Sequence, residues 1–297
     1  MIEAIDIHTH PSDAAAHRRQ GPWREQAERY FKRRIDEISL DAQAEIYRER
    51  NLLAVVVALD EESQTGRTGD SNDALSQAVT RNADVLIGFG SVDPAKGEAA
   101  VRETRRCIEE LGLRGMKFMP LTQAFFVDDP AARPIFETCA ALGVPVMIHM
   151  GTTGIGAGAP GGMGIHLKYG RPVPHLDDLA AELPELQIIG AHPAWPWTDE
   201  MLAVLWHKTN VYMDLSGWAP KYLPEAVIQN ANTLLRDRML FGSDFPVLHP
   251  DRWLDEFRAA PFRDEVRSGI LRENAARLLQ IDLEASGEGR PIRFTAG

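Results

Sequence analysis

The 297-residue sequence predicts a single (β/α)8 barrel, an α/β fold in which eight parallel strands close into a ring surrounded by helices. Short runs of β-branched and apolar residues recur eight times along the chain, and helical patterns lie between them. The length suits one such barrel. No glycine-rich GxGxxG motif follows the first run, which disfavours an open dinucleotide-binding sheet.

The predicted strands alternate with helices in the way that parallel βα units require. The strands cover residues 2–7, 52–59, 85–90, 113–119, 144–149, 187–192, 210–215 and 238–243. Residues 96–111 and 130–142 carry apolar residues at three- and four-residue spacing, as expected of helices that pack one face on a sheet. Gly112 and Gly143 stand just beyond them, where glycine commonly ends a helix. We therefore expect one domain over residues 1–297.

Polar side chains stand at the carboxyl ends of five predicted strands. His8 and His10 follow strand one and, two residues apart, are expected to point to the same face. Two neutral imidazoles on one face suit a metal ion, although a hydrogen-bonded histidine pair is an alternative. The other strands supply Lys117, His149, His192 and Asp244. Because all strand ends of a barrel meet at one rim, where active sites are built, these six side chains are expected to converge.

Each of these residues also has a purely structural interpretation. A single buried histidine could bond to a backbone carbonyl, Asp244 could cap a turn, and Lys117 could pair with a carboxylate. Burying several such groups together without an ion or a substrate would cost on the order of several kcal/mol each. Their conjunction at the ends of five strands therefore favours a functional site.

The strand-end motifs, in order, resemble those of the amidohydrolase superfamily, specifically the amidohydrolase-2 group, which includes aminocarboxymuconate semialdehyde decarboxylase and resorcylate decarboxylases. They are DIHTH at 6–10, GMKFMP at 115–120, PVMIHMG at 145–151, IGAHP at 189–193 and LFGSDFP at 240–246. The resemblance spans nearly the whole chain and implies a TIM barrel. It also implies a homodimer.

The resemblance implies one divalent metal ion bound by His8, His10, His149 and Asp244, with His192 beside it as an acid/base group. Nitrogen and carboxylate ligands suit Zn²⁺ best, with Mn²⁺ as the alternative. Lys117 falls close to the place where many binuclear members carry a carboxylated lysine. A single metal is more usual in this group, so we interpret Lys117 as a substrate-orienting or ligand-supporting charge, which leaves the number of metals open.

We expect a metal-dependent hydrolase that acts on a small carboxylated, lactone or acyl-thioester substrate in aromatic compound catabolism. The metal would activate water, Asp244 would accept its proton, and His192 would stabilise the oxyanion or protonate the leaving group. The alternative is a non-oxidative decarboxylase, a lyase, that would use the same residues. A second alternative is a barrel that binds a ligand without turnover, for which His192 beside the ion would have no purpose.

An insertion at 11–40, directly after strand one, is expected to form a lid. Residues 17–34 hold seven Lys/Arg against two Glu in an acidic chain, so this lid would present cationic groups such as Arg18 to an anionic substrate. The alternative is an amphipathic helix with a solvated basic face.

Two further features are expected to frame the mouth of the barrel. The glycine-rich loop at 151–172 is much longer than usual βα connections and is expected to cover the substrate or to contact a partner subunit. Trp195 and Trp218 follow strands six and seven, where they would flank a planar ligand or simply pack on helices.

Composition excludes several other classes of protein. The net charge of −11 disfavours nucleic-acid binding, because no positive field is available to displace counterions from phosphates. The only cysteines, Cys107 and Cys139, fit a reducing cytoplasm rather than a disulfide framework. The sequence shows no secretory signal pattern and no run of apolar residues long enough to span a membrane. The tail at 284–297 is polar and is expected to be a loose end or a short contact arm.

Overall fold

Eight parallel strands follow one another around the molecule in a computed structural model that describes residues 2–287 and 289–295. Each observed strand lies within or overlaps a predicted one. The strands are β1 Ala4–Thr9, β2 Leu52–Val57, β3 Leu86–Phe89, β4 Met116–Phe118, β5 Val146–His149, β6 Ile188–Ala191, β7 Val211–Asp214 and β8 Met239–Leu240.

The strands form two hydrogen-bonded sheets, β1 to β3 and β4 to β8, and single bridges join them into a ring. Between β3 and β4, Gly90 pairs with Met116, and the Lys117 N–H donates to the Gly90 carbonyl at 2.7 Å. Between β8 and β1, Thr9 pairs with Phe245, and further backbone bonds run alongside. The predicted TIM barrel is confirmed.

Helices and helical turns connect the strands. The α-helices are α1 Ala14–Gln20, α2 Pro22–Phe31, α3 Leu40–Arg48, α4 Glu62–Thr65, α5 Asn72–Arg81, α6 Glu98–Glu109, α7 Pro120–Gln123, α8 Arg133–Ala141, α9 His175–Glu182, α10 Thr198–His207, α11 Glu225–Ala231, α12 Pro250–Ala259, α13 Asp264–Ser268 and α14 Asn274–Leu279. Short 3₁₀ turns occupy Pro94–Lys96, Pro160–Gly164, Leu167–Gly170 and Pro220–Tyr222, and a π-helical turn spans Gly269–Glu273. In the part of the chain that the structure describes, none of these helices is both long and apolar enough to cross a bilayer.

The strands alternate between two apolar cores, as the period of two of a β-strand requires. Inward residues such as Val55, Ile87 and Ile189 fill the barrel, whereas outward residues such as Val56 and Ile148 pack under the helices. All of these side chains are buried. The interior is therefore a packed apolar plug with polar groups above it at the carboxyl-terminal rim.

Strand β1 breaks this alternation where the first histidine stands. Its pairing with β2 shifts register between Asp6 and Thr9. His8 therefore reaches the interior, where its Nε2 lies 3.0 Å from Nζ of Lys117, although the preceding Ile7 also belongs to the interior core. The shift thus adds an inward side chain that simple alternation would turn away from the barrel.

The C-terminal tail packs on the amino-terminal end of the barrel over its described residues; within the predicted range 284–297, positions 288, 296 and 297 lie outside them. Ile281 pairs with Phe294 in an antiparallel bridge. Ile292 is buried in the interior core, and its N–H donates to the Ala83 carbonyl at 2.7 Å. The tail therefore helps to close the end of the barrel opposite the polar rim.

Candidate metal centre

The strand-end side chains predicted from the sequence meet at the carboxyl-terminal rim. We call His8, His10, His149, His192 and Asp244 the histidine cluster. Nε2 of His8 lies 3.2 Å from Nε2 of His10, which is 3.1 Å from Oδ1 of Asp244. Nε2 of His192 lies 3.1 Å from Nδ1 of His149, and the His8 and His192 rings stack with their centroids 5.0 Å apart.

Hydrogen bonds to groups outside the histidine cluster show which ring nitrogen carries the proton in three of the histidines. Nδ1 of His8 lies 3.0 Å from a carboxylate oxygen of Asp214, Nδ1 of His192 lies 3.0 Å from the Ser216 carbonyl, and Nε2 of His149 lies 2.9 Å from the Thr152 carbonyl. Because these oxygens accept hydrogen bonds, each ring nitrogen facing them carries a proton. The second nitrogen of each ring therefore directs a lone pair into the cluster.

Converging lone pairs of this kind are what a cation requires. Ligand atoms at about 2.0–2.2 Å from a common ion lie roughly 3 Å from one another, which matches the separations of His8 from His10 and of His10 from Asp244. His8, His192 and Asp244 also each offer a ligand atom within 4.8 Å of the other two. The residues present therefore fit a divalent metal ion, with His192 close enough to be a ligand or a neighbour.

The local electrostatics favour the protonation states that metal binding needs. Burial, together with the charge of Lys117, lowers the pKa of His8 to about 3, although Asp214 opposes this change. Burial also lowers the pKa of His149 well below its ordinary value. For Asp244 burial would raise the pKa, but the hydrogen bond from His10 and the neighbouring His192 and His8 rings hold it well below its usual range. The site thus offers His8 and His149 as neutral imidazoles and Asp244 as an ionised carboxylate.

Lys117 is the sixth predicted side chain and lies inside the barrel beside His8. Burial lowers its pKa to about 8, against the opposing charges of Asp214 and Asp244. Its Nζ donates to Nε2 of His8 at 3.0 Å. The lysine is therefore placed next to the centre of the site, where its charge would meet an anionic ligand.

Two polar residues of this site were missed by the sequence analysis. Asp214 ends β7 and Ser216 follows it, and both are buried beneath His8 and His192. Burial would raise the pKa of Asp214, but the hydrogen bond from His8 and the neighbouring His192 ring and Ser216 hydroxyl hold it well below its usual range. The predicted strand 210–215 contains Asp214, so its position at a strand end was the available signal.

A second buried carboxylate supports the junction of the first and last strands. The Tyr47 hydroxyl donates to Oδ2 of Asp6 at 2.7 Å, and the Ser243 N–H donates to Oδ1 at 2.9 Å. Burial raises the pKa of Asp6 to about 7. These bonds fix the backbone directly before Asp244.

The backbone of two members of the histidine cluster is left-handed. His192 has φ of 70° and Asp244 has φ of 63°, a region that side-chain-bearing residues seldom adopt. The Asp244 N–H donates to the His8 carbonyl at 2.9 Å, and the His192 N–H donates to Asp214 at 3.2 Å. At Gly217, with φ of 72°, a Cβ would lie 2.8 Å from Nδ1 of His192, so the chain approaches the ring where only glycine fits.

The predicted substrate-contacting residues other than Lys117 lie in the segments that follow the strands, Trp195 and Trp218 in loops and Arg18 on α1. The rings of Trp195 and Trp218 have their centroids 6.4 Å apart; Trp195 is half exposed, whereas Trp218 packs partly on the outer core. Arg18 is exposed on α1. The neighbouring Arg19 is buried and bonds to Glu61 at 2.9 Å and Asp70 at 2.8 Å, so its charge is already paired within the protein.

Two long segments from opposite sides of the barrel meet above the mouth. Strands β1 and β5 face each other across a ring of eight, and their following segments are α2 and the loop 151–164; we call this pair the roof. Nε2 of Gln26 donates to the Ala157 carbonyl at 3.1 Å, and Phe31 packs against Gly154. Tyr30 packs on Gly158 in the same way. The predicted lid and the glycine-rich loop therefore contact each other.

The chain is similar to known proteins in both sequence and fold. The family described as Amidohydrolase matches residues 5–281. The chain is 25% identical over 249 residues to gamma-resorcylate decarboxylase of Rhizobium radiobacter, which covers 71% of this chain and 75% of that protein. It is 42% identical over only 78 residues to 2-amino-3-carboxymuconate-6-semialdehyde decarboxylase of Dictyostelium discoideum, 26% of this chain and 22% of that protein.

Solved structures have the same fold. An uncharacterised TIM-barrel protein of Bordetella bronchiseptica matches with a TM-score of 0.73 and 23% identity, over 93% of this chain and 98% of that one. A dihydroxybenzoic acid decarboxylase of Polaromonas sp. JS666, solved with bound manganese and the inhibitor 2-nitroresorcinol, matches with a TM-score of 0.66 and 19% identity, over 94% and 97%.

Proposed function

This chain belongs to the amidohydrolase family, and on that basis we propose that it is a metal-dependent, non-oxidative decarboxylase of a small aromatic carboxylic acid. The observation that carries the proposal is the histidine cluster, a set of converging imidazole lone pairs and one carboxylate, in a chain whose curated relatives are decarboxylases. We therefore propose that the site binds a metal ion and that its substrate is an anion.

The hydrolase expected from the sequence receives less support than this decarboxylase. The same side chains would serve both reactions, so the geometry of the histidine cluster favours neither. The named relatives release carbon dioxide from carboxylic acids rather than adding water. A ligand-binding barrel without turnover would also leave His192, directed at the centre of the cluster, without a purpose.

In the proposed site His8, His10, His149 and Asp244 hold one divalent ion. Manganese is the first choice, because a relative of the same fold binds it, and zinc is the alternative. When bound, the ion would supply positive charge that stabilises an anionic substrate in the site. Lys117, at 3.0 Å from His8, would add a second positive charge on the same side.

His192 would carry the proton in the reaction. Nδ1 of its ring is held by Ser216, so Nε2 is the nitrogen that faces the ligand space. The Nδ1–H tautomer carries no proton on Nε2, so Nε2 would first take one from solvent and would then pass it to the ring carbon that bears the carboxylate. The carbon–carbon bond to the carboxylate breaks, and carbon dioxide leaves. The electron pair of that bond restores the aromatic ring. Asp244 remains the second candidate for proton transfer.

The roof would enclose the substrate, and Trp195 and Trp218 would stack on its ring. Arg18 would steer an anion toward the mouth from the exposed face of α1. The buried Arg19 would instead hold the base of the lid to the rim through Glu61 and Asp70.

Product analysis tests this function. The purified protein, stripped with chelator and reloaded with Mn²⁺ or Zn²⁺, is incubated with 2,6-dihydroxybenzoate and related hydroxybenzoates in ¹⁸O-labelled water. We expect metal-dependent loss of the carboxylate as carbon dioxide, with no ¹⁸O in the aromatic product. Metal-dependent release of ¹⁸O-labelled acids from lactones or thioesters, with no decarboxylation of the acids, would replace this proposal with the hydrolase.

A further inference from the structure

Asp214 connects His8, His192 and Ser216 and has no role in the proposed reaction. Its Oδ2 accepts a hydrogen bond from Nδ1 of His8 at 3.0 Å. Its Oδ1 accepts from the Ser216 N–H at 2.9 Å, from the His192 N–H at 3.2 Å and from the Ser216 hydroxyl. The carboxylate is completely buried, so these donors satisfy it in place of water.

The same contacts determine which nitrogen of His8 carries its proton. An ionised carboxylate only accepts, so Nδ1 of His8 donates and Nε2 keeps its lone pair. Two neighbours agree with this assignment. The Lys117 ammonium only donates, and it lies 3.0 Å from Nε2. The Ser216 hydroxyl gives its proton to Asp214, so its lone pairs face Nδ1 of His8 and Nδ1 of His192, each at 2.9 Å.

We propose that Asp214 is a positioning residue that fixes the Nδ1–H tautomer of His8, so that Nε2 of this ring directs its lone pair to the centre of the site. The inference rests on the proposed function for the role of His8 as a ligand. Carboxylates that orient ligating histidines are a common feature of metal sites, and their loss weakens metal binding.

The variant Asp214→Asn gives this proposal a specific consequence. Two backbone N–H groups face Oδ1, so they would bind the amide oxygen and turn the amide NH₂ toward Nδ1 of His8. His8 would then have to accept at Nδ1 and carry its proton on Nε2. A protonated Nε2 cannot bind a metal ion.

The test compares wild type, Asp214→Asn and Ser216→Ala as full-length proteins. Ser216→Ala is the matched control, because it removes a hydroxyl from the same network but leaves the carboxylate on His8. Histidine ¹⁵N NMR of the metal-free proteins reports the tautomer of each ring, with the His8 signals assigned by their absence in His8→Gln. Competition with a chelating dye measures the affinity for Mn²⁺ and Zn²⁺.

We expect wild type and Ser216→Ala to hold His8 as the Nδ1–H tautomer, and Asp214→Asn to hold it as Nε2–H. Metal affinity should fall on the order of 10–100-fold in Asp214→Asn and by less than about threefold in Ser216→Ala. Wild-type His8 with its proton on Nε2 would overturn the inference even if Asp214→Asn does not fold. So would unchanged metal affinity in a folded Asp214→Asn. Neither the NMR nor the metal affinity depends on turnover. A wild-type protein that decarboxylates none of the acids would therefore contradict the proposed function but not this inference.

Discussion

At the scale of single residues, His192 and Asp244 hold their side chains at the site through unusual backbone conformations. Left-handed backbone at residues other than glycine costs on the order of 1–3 kcal/mol and persists where the surroundings impose it. Here the His192 N–H donates to Asp214 and the Asp244 N–H donates to the His8 carbonyl, and these bonds hold the two residues in that conformation. Strain of this kind is typical of functional sites, and it directs both side chains toward the centre of the cluster.

Replacement of His192 by asparagine separates its two candidate roles. Asparagine tolerates left-handed backbone, so His192→Asn should fold. If His192 carries the proton, kcat should fall on the order of 10²–10⁴-fold while the metal content stays at the wild-type value. Steady-state kinetics and metal analysis measure both, with the exposed His207→Asn as the control. Loss of the metal would make His192 a ligand, and near-normal kcat would remove it from the reaction.

The sequence was sufficient to predict the members of the histidine cluster and Lys117, because each stands at a strand end. It was not sufficient for Asp214 and Ser216. Asp214 also ends a strand, but its function depends on His8, more than 200 residues away, and on which nitrogen of that ring faces it. Likewise, nothing local distinguishes Arg19, which is buried against Glu61, from the exposed Arg18.

At the scale of elements, the roof is defined by close contacts between α2 and the loop after β5. A Cβ at Gly154 would lie 2.7 Å from Cε2 of Phe31, so an alanine there displaces the exposed Phe31 ring from its contact with the loop. Gly154 does not have left-handed backbone, so an alanine there causes no conformational strain of its own. The position therefore allows the contact between the segments to be disturbed selectively.

We expect Gly154→Ala to lower kcat/KM of the proposed reaction by roughly tenfold, because the displaced Phe31 ring loses the contact that helps to close the roof over the substrate. Phe31→Ala should cause a similar loss by removing the same contact. The double variant should be no worse than Phe31→Ala alone, since the clash has gone. Kinetics of the four proteins form a double-mutant cycle. Additive losses would show that the two segments do not act together.

At the scale of the whole molecule, the two ends of the barrel have different functions. The carboxyl-terminal rim carries the polar site, whereas the other end is closed by apolar residues and by the C-terminal tail. In barrels of this type the first end serves catalysis and the second stability.

Substitution of Ile292 in the tail tests whether the two ends of the barrel serve catalysis and stability separately. We expect Ile292→Ala to reduce the free energy of unfolding by about 2–5 kcal/mol, because it empties a buried apolar position, and to leave kcat/KM unchanged. Ile292→Val, the milder control, should cost about 0.5–1.5 kcal/mol. Denaturant unfolding and kinetics measure the two effects. Reduced kcat/KM at unchanged stability would contradict the division.

The barrel itself was predictable because eight apolar runs and their spacing are local signals. The shortness of β8 and the register shift in β1 were not predictable from the sequence. Both occur where the first and last strands join, and there the Ser243 N–H leaves the sheet pattern to bond Asp6. Such departures depend on a partner strand at the far end of the sequence.

That junction also has a consequence for biosynthesis. His8 leaves the ribosome long before Asp244, which shares the candidate ion with it and is separated from it by seven further strands. Contacts between such distant residues form late in folding. A nascent polypeptide therefore cannot assemble the complete centre, and metal capture by the full ligand set has to follow synthesis of the eighth strand.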